Sequence, residues 1–116
     1  MKRFFAAALL FASTYSLAAT QTLSGYLVDV SCATDDGAKP GFGAKHSKKC
    51  LQMPECEESG YALLTADNKV IKFDKAGNTT VKQFIAQTDK DKDWKVNVTG
   101  DVNGDNMTVQ SLELQK

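Results

Sequence analysis

The segment Cys32–Cys56, CATDDGAKPGFGAKHSKKCLQMPEC, contains all three cysteines of the chain and its only histidine, His46. The sequence on both sides of this segment has the alternating apolar positions and turn residues that are typical of a small β domain. We therefore expect a mainly β fold with one long cysteine-containing loop. This loop is the candidate functional site. The sequence contains no recognisable catalytic set, so we do not expect an enzyme.

Residues 1–19 have the features of a signal peptide. A basic start (MKR) precedes the apolar run Phe4–Ala12, and a small-x-small motif ends at Ala18, so that cleavage is expected after Ala18 or Ala19. The apolar run is much shorter than the roughly 20 residues that span a bilayer. We predict a periplasmic or secreted protein with one domain, residues 20–116, and no membrane association after cleavage.

The charge balance of the chain argues against nucleic acid as a partner. The chain has 14 basic and 14 acidic side chains, and loss of the signal peptide removes two basic ones. A weakly acidic domain does not have the basic field that nucleic acid requires, so the expected partner is an unknown small ligand or protein. Export implies an oxidising compartment. Three cysteines cannot all pair within one chain, which leaves a free thiol, a bridge to a second chain or a metal ligand.

The first strand is predicted at Gln21–Val30, where apolar parity changes around Gly25 and indicates a bulge. Residues 31–58 then form the cysteine loop. Its first half, Thr34–Gly43, is rich in Gly, Pro and Asp and should be irregular. The second half predicts a short helix at Ala44–Met53 that ends before Pro54.

The remaining sequence predicts a hairpin, a helix and two more strands. Apolar alternation, turn residues and capping spacing place these elements. They are strands Tyr61–Thr65 and Val70–Phe73 joined at Asp67-Asn68, a helix at Asn78–Thr88 with a capping box from Thr80 to Gln83, a strand in which Trp94, Val96 and Val98 alternate with polar residues, and a last strand from Met107 to Leu114 with a bulge near Gln110-Ser111.

The predicted order, β-β-β-α-β-β, is that of a small five-stranded OB-like barrel with a long loop between its first two strands. In such a barrel the loops between strands one and two and between strands four and five flank the binding face. A five-stranded meander with the helix on one end is the alternative. The ligand-face candidates are Tyr26, Tyr61, Asp101, Asn103 and Asp105, although the two tyrosines are equally good candidates for cross-strand core neighbours.

The arrangement of motifs resembles that of uncharacterised small secreted bacterial proteins with OB-like barrels. The segments that carry the resemblance are the G-Y-L-V-D-x-x-C strand Gly25–Cys32, the H-x3-C and following cysteine in His46–Cys56, the Y-x-L-L-T strand after Gly60, and the V-x-V-T-G strand Val96–Gly100. The six-residue step from Cys50 to Cys56 departs from the tighter spacing of that group. The resemblance implies the fold and the compartment, and it implies no activity.

Hairpin geometry favours one pairing of the cysteines. If strands one and two are antiparallel neighbours, Val30 lies near Gly60, and Cys32 and Cys56 face each other across the base of the loop. A disulfide there would enclose about 25 residues and stabilise the domain by about 3 kcal/mol. Pairings that include Cys50 remain open, as does a Cys50-linked dimer in place of the expected monomer.

A metal site is the second hypothesis for the loop. In a helix over Ala44–Met53, the side chains of His46, Cys50 and Met53 would share one face and suit Cu(I), while imidazole and thiolates also suit Zn(II). Without a disulfide, Cys32 and Cys56 could join His46 and Cys50 in a Cys3His zinc site. The third hypothesis is a thiol enzyme with Cys50 as nucleophile and His46 as base, for which Asp29 or Asp35 is the candidate orienting group.

The sequence therefore leads us to expect an exported binding module whose Cys/His loop binds a soft metal or responds to oxidation. The alternative is a disulfide-stapled OB-like domain that binds a protein or small ligand without a metal. Replacing Cys50 and His46 discriminates between them, because function is lost in the first case and kept in the second.

Overall fold

The computed structural model of the protein describes residues 20–116, and the predicted signal peptide lies outside them. Five strands and five helices follow one another in the described part of the chain. They are β1 (Thr20–Asp29), α1 (Val30–Asp36), α2 (Phe42–Lys45), α3 (Lys48–Leu51), α4 (Pro54–Ser59), β2 (Tyr61–Leu64), β3 (Val70–Phe73), α5 (Lys75–Gln87), β4 (Lys95–Asn103) and β5 (Asn106–Leu114).

The five strands form a closed barrel in the order β1-β2-β3-β5-β4. Neighbouring strands are antiparallel except β3 and β5, which run parallel where Lys72 lies beside Asn106 and Phe73 beside Met107. The predicted OB-like barrel with a helix between its third and fourth strands is confirmed. The hairpin between β2 and β3 is confirmed as well, with Asn68 in the left-handed conformation at φ 62°.

The predicted bulge at Gly25 is wrong. Pairing of β1 with β4 continues without a shift from Thr20 to Tyr26. The parity of the apolar residues changes because β1 is buried on both faces. Leu27 belongs to the main core, whereas Val28 packs in a second cluster under the cysteine segment. Glycine is required at position 25 because the backbone of Leu64 approaches closely, and a Cβ there would collide with its carbonyl oxygen.

The bulge predicted in the last strand is confirmed. Thr99 pairs with Ser111 and Gly100 with Val109, so Gln110 is the extra residue. The bulge lies beside the start of α5. There the Asp74 carboxylate accepts the N–H of Val109 at 3.2 Å as well as a helix N–H.

The helix α5 begins three residues earlier than the sequence pattern predicted. Its N-cap is Asp74, which accepts the N–H of Gly77 at 3.1 Å. The predicted capping residue, Thr80, instead donates its hydroxyl to the carbonyl of Ala76 within the helix. The apolar stripe was correct, because Val81 and Ile85 are both fully buried in the main core.

The cysteine segment is more helical than predicted. Val30 begins α1 rather than ending β1, because the Asp29 side chain accepts the Cys32 N–H and caps a helix there. The single helix predicted over Ala44–Met53 is wrong. Ser47 caps a separate turn, α3, and Pro54 begins α4 at the position where proline is favoured.

Packing at both α1 and α3 holds this segment against the barrel. Leu51 of α3 is fully buried in the main core, and its carbonyl accepts the hydroxyl of Tyr61 at 2.8 Å. On the other side, Ala33 of α1 packs with Val28 and Ala62 in the second cluster. The cysteine segment is therefore anchored to the barrel through both α3 and α1.

Candidate functional site

Asp29 lies where β1 ends and α1 begins, and its side chain is fully buried. One carboxylate oxygen, Oδ2, accepts the backbone N–H of Cys32 at 2.9 Å. The other, Oδ1, lies 2.6 Å from Nε2 of His46. Both oxygens of a buried carboxylate are thus hydrogen-bonded, which is the condition under which such a group is tolerated in a protein interior.

His46 lies in the extended stretch between α2 and α3, and it is only 5 % exposed. Its ring packs against Phe42 with a centroid separation of 5.0 Å. The bond to Asp29 joins two residues 17 positions apart. It therefore ties the middle of the cysteine segment to the end of β1.

Cys32 and Cys56 come together beside Asp29. Their sulfur atoms are 3.9 Å apart and unbonded, and one ligand atom from each of Asp29, Cys32 and Cys56 lies within 4.8 Å of the other two. Two thiolates on a tetrahedral zinc ion are separated by about 3.8 Å, given Zn–S bonds of about 2.3 Å. The spacing of the two sulfur atoms therefore fits a metal ion that bridges them.

The electrostatics of this cluster keep the carboxylate charged and the thiols protonated. Burial raises the pKa of Asp29, but the hydrogen bonds from His46 and Cys32 outweigh it and hold the pKa at about 2. Burial, followed by the negative charge of Asp29, raises the pKa of Cys32 to about 12. The same two causes, in the same order, raise the pKa of Cys56.

Cys50 lies outside this cluster. Its sulfur accepts a hydrogen bond from the Ser47 hydroxyl at 3.3 Å, and Ser47 in turn accepts the Cys50 N–H at 3.2 Å. Cys50 and His46 line a cavity of about 280 Å³ together with side chains of the α1–α2 connection and α2. The three thiols therefore belong to two environments, one pair at Asp29 and one single thiol at a pocket.

The structure brings only some of the predicted ligands together. It places Cys32 beside Cys56, as the hairpin argument predicted. The shared helix face of His46, Cys50 and Met53 is wrong, because the helix is broken at Ser47. Met53 occupies the N-cap position of α4 without a side-chain capping bond, and it is 44 % exposed.

Asp29 is the site residue that the sequence interpretation did not place among the ligands. Its signal was an acidic residue at the end of an otherwise apolar strand, three positions before a cysteine, which is also the spacing of an N-cap bond. Asp35, the other candidate for orienting His46, is exposed on α1. Of the two aspartates that the sequence suggested as orienting groups for His46, Asp29 is the one that forms a hydrogen bond with it.

The ligand-face candidates lie in different places. Tyr61 is 2 % exposed and belongs to the main core. Tyr26 lines a cavity of about 350 Å³ beside the cysteine segment and a second one, of about 280 Å³, that Lys95 and Gln115 also line. Asp105 lines another cavity, of about 410 Å³, at the β4–β5 turn. The nearby Asp101 accepts the Thr20 hydroxyl at 3.0 Å, and Asn103 is exposed at the same turn.

Comparison of the chain with protein-family models, with curated proteins and with solved structures gives no match. Among residues 20–116, no helix combines the length and the apolar character that crossing a membrane requires. The case for a function therefore rests on the geometry of the described residues.

Proposed function

We propose that this protein is a small exported binding module that binds one thiophilic metal ion between Cys32 and Cys56. The observation that carries the proposal is the cluster of two sulfur atoms 3.9 Å apart with a buried carboxylate within 4.8 Å of both. Thiolates prefer soft and borderline metals, of which Zn(II) and Cu(I) are the relevant ones. The expectation of export rests on the sequence of residues 1–19.

The third ligand favours zinc over copper. A carboxylate oxygen is a common ligand of Zn(II), whereas Cu(I) selects sulfur. Asp29 retains unused lone pairs after accepting its two hydrogen bonds. The N–H groups of His46 and Cys32 would then orient the carboxylate from behind, as hydrogen bonds to metal-ligating carboxylates do in other metal sites.

Three protein ligands leave a fourth position for water or for a ligand group. Zinc sites with an open position are the type that binds or activates a further molecule, whereas structural zinc sites have four protein ligands. Cys50 is the remaining thiol of the segment and lies outside the cluster. A binding role with an exchangeable fourth ligand therefore suits this set better than a closed structural site.

Metal binding must displace the protons of both thiols. Since the pKa of Cys32 is raised to about 12 and that of Cys56 is also raised, both sulfur atoms are protonated at neutral pH in the metal-free protein. Binding is then coupled to the release of two protons and weakens as the pH falls. The Asp29 charge that opposes thiolate formation in the empty site would attract the cation.

The experiment is a metal titration of the reduced, exported protein against a competing chelator. We expect one equivalent of Zn(II) to bind, and Cys32→Ser or Cys56→Ser to weaken binding by at least tenfold, in line with the loss of a ligand or its support. The matched control is Cys50→Ser, which should bind like the parent. The proposal is wrong if Cys50→Ser is the only variant that loses the metal, or if the parent protein itself binds none.

The same pair of sulfur atoms supports a second candidate, a disulfide-stapled binding domain without a metal. A Cys32–Cys56 bond would close a loop of about 25 residues and stabilise the domain by about 3 kcal/mol. A free-thiol count and metal analysis on freshly exported protein separate the two candidates. One thiol without metal supports the stapled domain, and three thiols with one equivalent of zinc support the metal site.

A further inference from the structure

The barrel is incompletely paired along the first half of β1. β2 pairs with β1 only from Tyr26 to Asp29, whereas β4 pairs with it from Thr20 to Tyr26. In an antiparallel ladder every second residue directs its N–H and C=O away from its partner strand. Between Thr20 and Gly25 these outward groups have no hydrogen-bond partner within residues 20–116. β1 therefore presents a free sheet edge over residues 20–25.

The sequence of this edge has none of the features that protect free edges. Charged residues, prolines and bulges are the usual protection. Residues 20–25, TQTLSG, contain no charge and no proline, and their pairing with β4 continues without a shift. The second weakly paired seam of the barrel, between β3 and β5, differs, because α5 begins there and Asp74 accepts the N–H of Val109 at 3.2 Å. The β1 edge is thus available for a further strand.

A cavity at the mouth of the barrel borders the inner face of this edge. It has a volume of about 410 Å³, and its apolar lining is Leu23, Ile71 and Val102. Ile71 belongs to the main core, and the other two side chains pack against it. The rim is formed by polar residues of the β2–β3 and β4–β5 turns. An apolar side chain of an added strand would therefore find an apolar base in this inner cavity.

A second cavity borders the outer face of the same edge. It has a volume of about 280 Å³, and it is lined by Tyr26 and Lys95 on one side of the edge and by Leu64 and Ala66 on the other. The Lys95 ammonium lies over the Tyr26 ring, 5.9 Å from its centroid. Lys95 forms no ion pair within the part of the chain that the structure describes. An uncompensated cation in this outer cavity favours a carboxylate on the added strand.

We propose that the free edge of β1 binds an extended peptide segment as an additional strand, with an apolar side chain in the inner cavity and a carboxylate in the outer cavity. In this mode of recognition, main-chain hydrogen bonds supply the affinity and pockets for alternate side chains supply the specificity. Leu23 and Tyr26, which line the two cavities, are three positions apart and lie on opposite faces of β1. The favoured peptide therefore carries its apolar and acidic side chains about three residues apart, as the same strand periodicity requires. Such binding does not require a metal at Cys32 and Cys56.

The side chains of β1 argue against a second copy of the chain as the added strand. On the outer face, the hydroxyls of Thr22 and Ser24 are already hydrogen-bonded to Thr99 and Asn97 of β4. On the inner face, Leu23 already packs against the main core. Pairing of two β1 strands would therefore leave both cavities empty, whereas a peptide brings side chains that are free to enter them. A dimer paired through β1 is the outcome that the experiment must distinguish.

The test uses the full exported protein and two capped threonine hexapeptides as probes. One has leucine at its second and glutamate at its fifth position, and the other has these two exchanged, so that both strand directions are covered. An NMR titration to about 2 mM peptide detects binding with a Kd of about 1 mM, and amide hydrogen exchange locates it. We expect at least one peptide to bind and to slow the exchange of alternate amides between Thr20 and Gly25. Absence of binding by both, or protection elsewhere in the barrel, would overturn the proposal.

Backbone methylation of the bound peptide tests the strand pairing itself. Two versions carry N-methyl groups on alternate residues, in the two possible phases. Only one phase directs the methyl groups towards β1, so one version should lose binding while the other keeps it. An equal effect of both phases would refute the pairing. Sedimentation of the peptide-free protein covers the remaining case, since a dimer that protects the same amides would assign the edge to a second copy and overturn the proposal.

Recognition of the carboxylate is tested with a matched pair of lysines. Lys95→Gln should weaken binding of the glutamate peptide by about threefold at low salt, in line with a partly exposed charge contact. It should leave binding of the glutamine analogue of that peptide unchanged. The control is Lys92→Gln, which removes an exposed charge of the preceding loop that lines neither cavity. Equal weakening by the two variants would show that Lys95 does not recognise the carboxylate.

Discussion

Replacement of Asp29 by asparagine keeps the shape of the side chain and removes its charge, and we expect the variant to lose about 2 kcal/mol of stability at neutral pH. Although burial raises the pKa of Asp29, its hydrogen bonds with His46 and Cys32 lower it from 3.8 to about 2. A shift of nearly two units corresponds to about 2 kcal/mol, since each unit is worth about 1.4 kcal/mol. In the unfolded chain this carboxylate is exposed and has its ordinary pKa, so the shift contributes directly to the free energy of unfolding.

The sign of the pH dependence follows from the direction of the shift. Because the pKa of Asp29 is lower in the folded state, its contribution is fully present above about pH 4 and is lost as the pH falls towards about 2. The assay is urea unfolding of reduced, chelator-treated protein over this pH range. The parent should lose about 2 kcal/mol more than Asp29→Asn between neutral pH and about pH 2.

The control variant is Asp35→Asn, which changes an exposed carboxylate of α1 a few residues away. Its free energy of unfolding should follow that of the parent across the whole range. Parallel curves for the parent and Asp29→Asn would refute the reasoning, because they would mean that the buried hydrogen bonds do not favour the charged form of Asp29.

Three further predictions concern the thiols and the fold. The apparent Zn(II) affinity should rise by roughly a hundredfold per pH unit near neutrality, because Cys32 and Cys56 each release a proton; calorimetry in buffers of different ionisation enthalpy counts the protons, and a count near zero would exclude thiolate ligands. Gly25→Ala should lower the free energy of unfolding by about 1–3 kcal/mol through its collision with the Leu64 carbonyl, and an unchanged urea midpoint would contradict that close approach. Asp74→Ala should cost about 1–2 kcal/mol, since it leaves two backbone N–H groups without their acceptor; faster amide exchange at both positions is the diagnostic result, and unaltered exchange would count against it.

The barrel was predictable where a strand has one face in the core and the other in solvent. In β4 the alternation of Val96 and Val98 with polar residues corresponds directly to buried and less buried positions. In β5 the change of apolar parity was correctly interpreted as a bulge, because the strand slips by one residue at Gln110. Side-chain period and backbone register carry the same information in such strands.

The same parity argument failed in β1 for a physical reason. There the polar alternation is absent because helices of the cysteine segment cover the outer face, so Leu27 and Val28 are both fully buried. A change of parity then indicates a second packed layer and not a bulge. The covering residues lie further along the chain, and no local pattern in β1 distinguishes the two cases.

The candidate site was predictable in part. The proximity of Cys32 and Cys56 followed from hairpin geometry alone, although their sulfur atoms lie 3.9 Å apart and form no disulfide. The bond between Asp29 and His46 was not predictable from local spacing, because the two residues are 17 positions apart and two helices, α1 and α2, lie between them. The break at Ser47 was decided by a side-chain cap, which competed successfully with helix continuation.

The charge of Asp29 is the strongest argument that the cluster has a use beyond stability. A buried charged group contributes little that well-packed apolar residues could not supply, and this carboxylate also opposes ionisation of both neighbouring thiols. Three anionic groups within 4.8 Å would repel one another strongly, so the empty site is compatible only with protonated thiols or with a disulfide. A bound cation is the remaining way to neutralise the group while both sulfur atoms are ionised. The proposed metal state and the disulfide state therefore exclude each other at the same two atoms, and oxidation of Cys32 and Cys56 should release any metal that they hold.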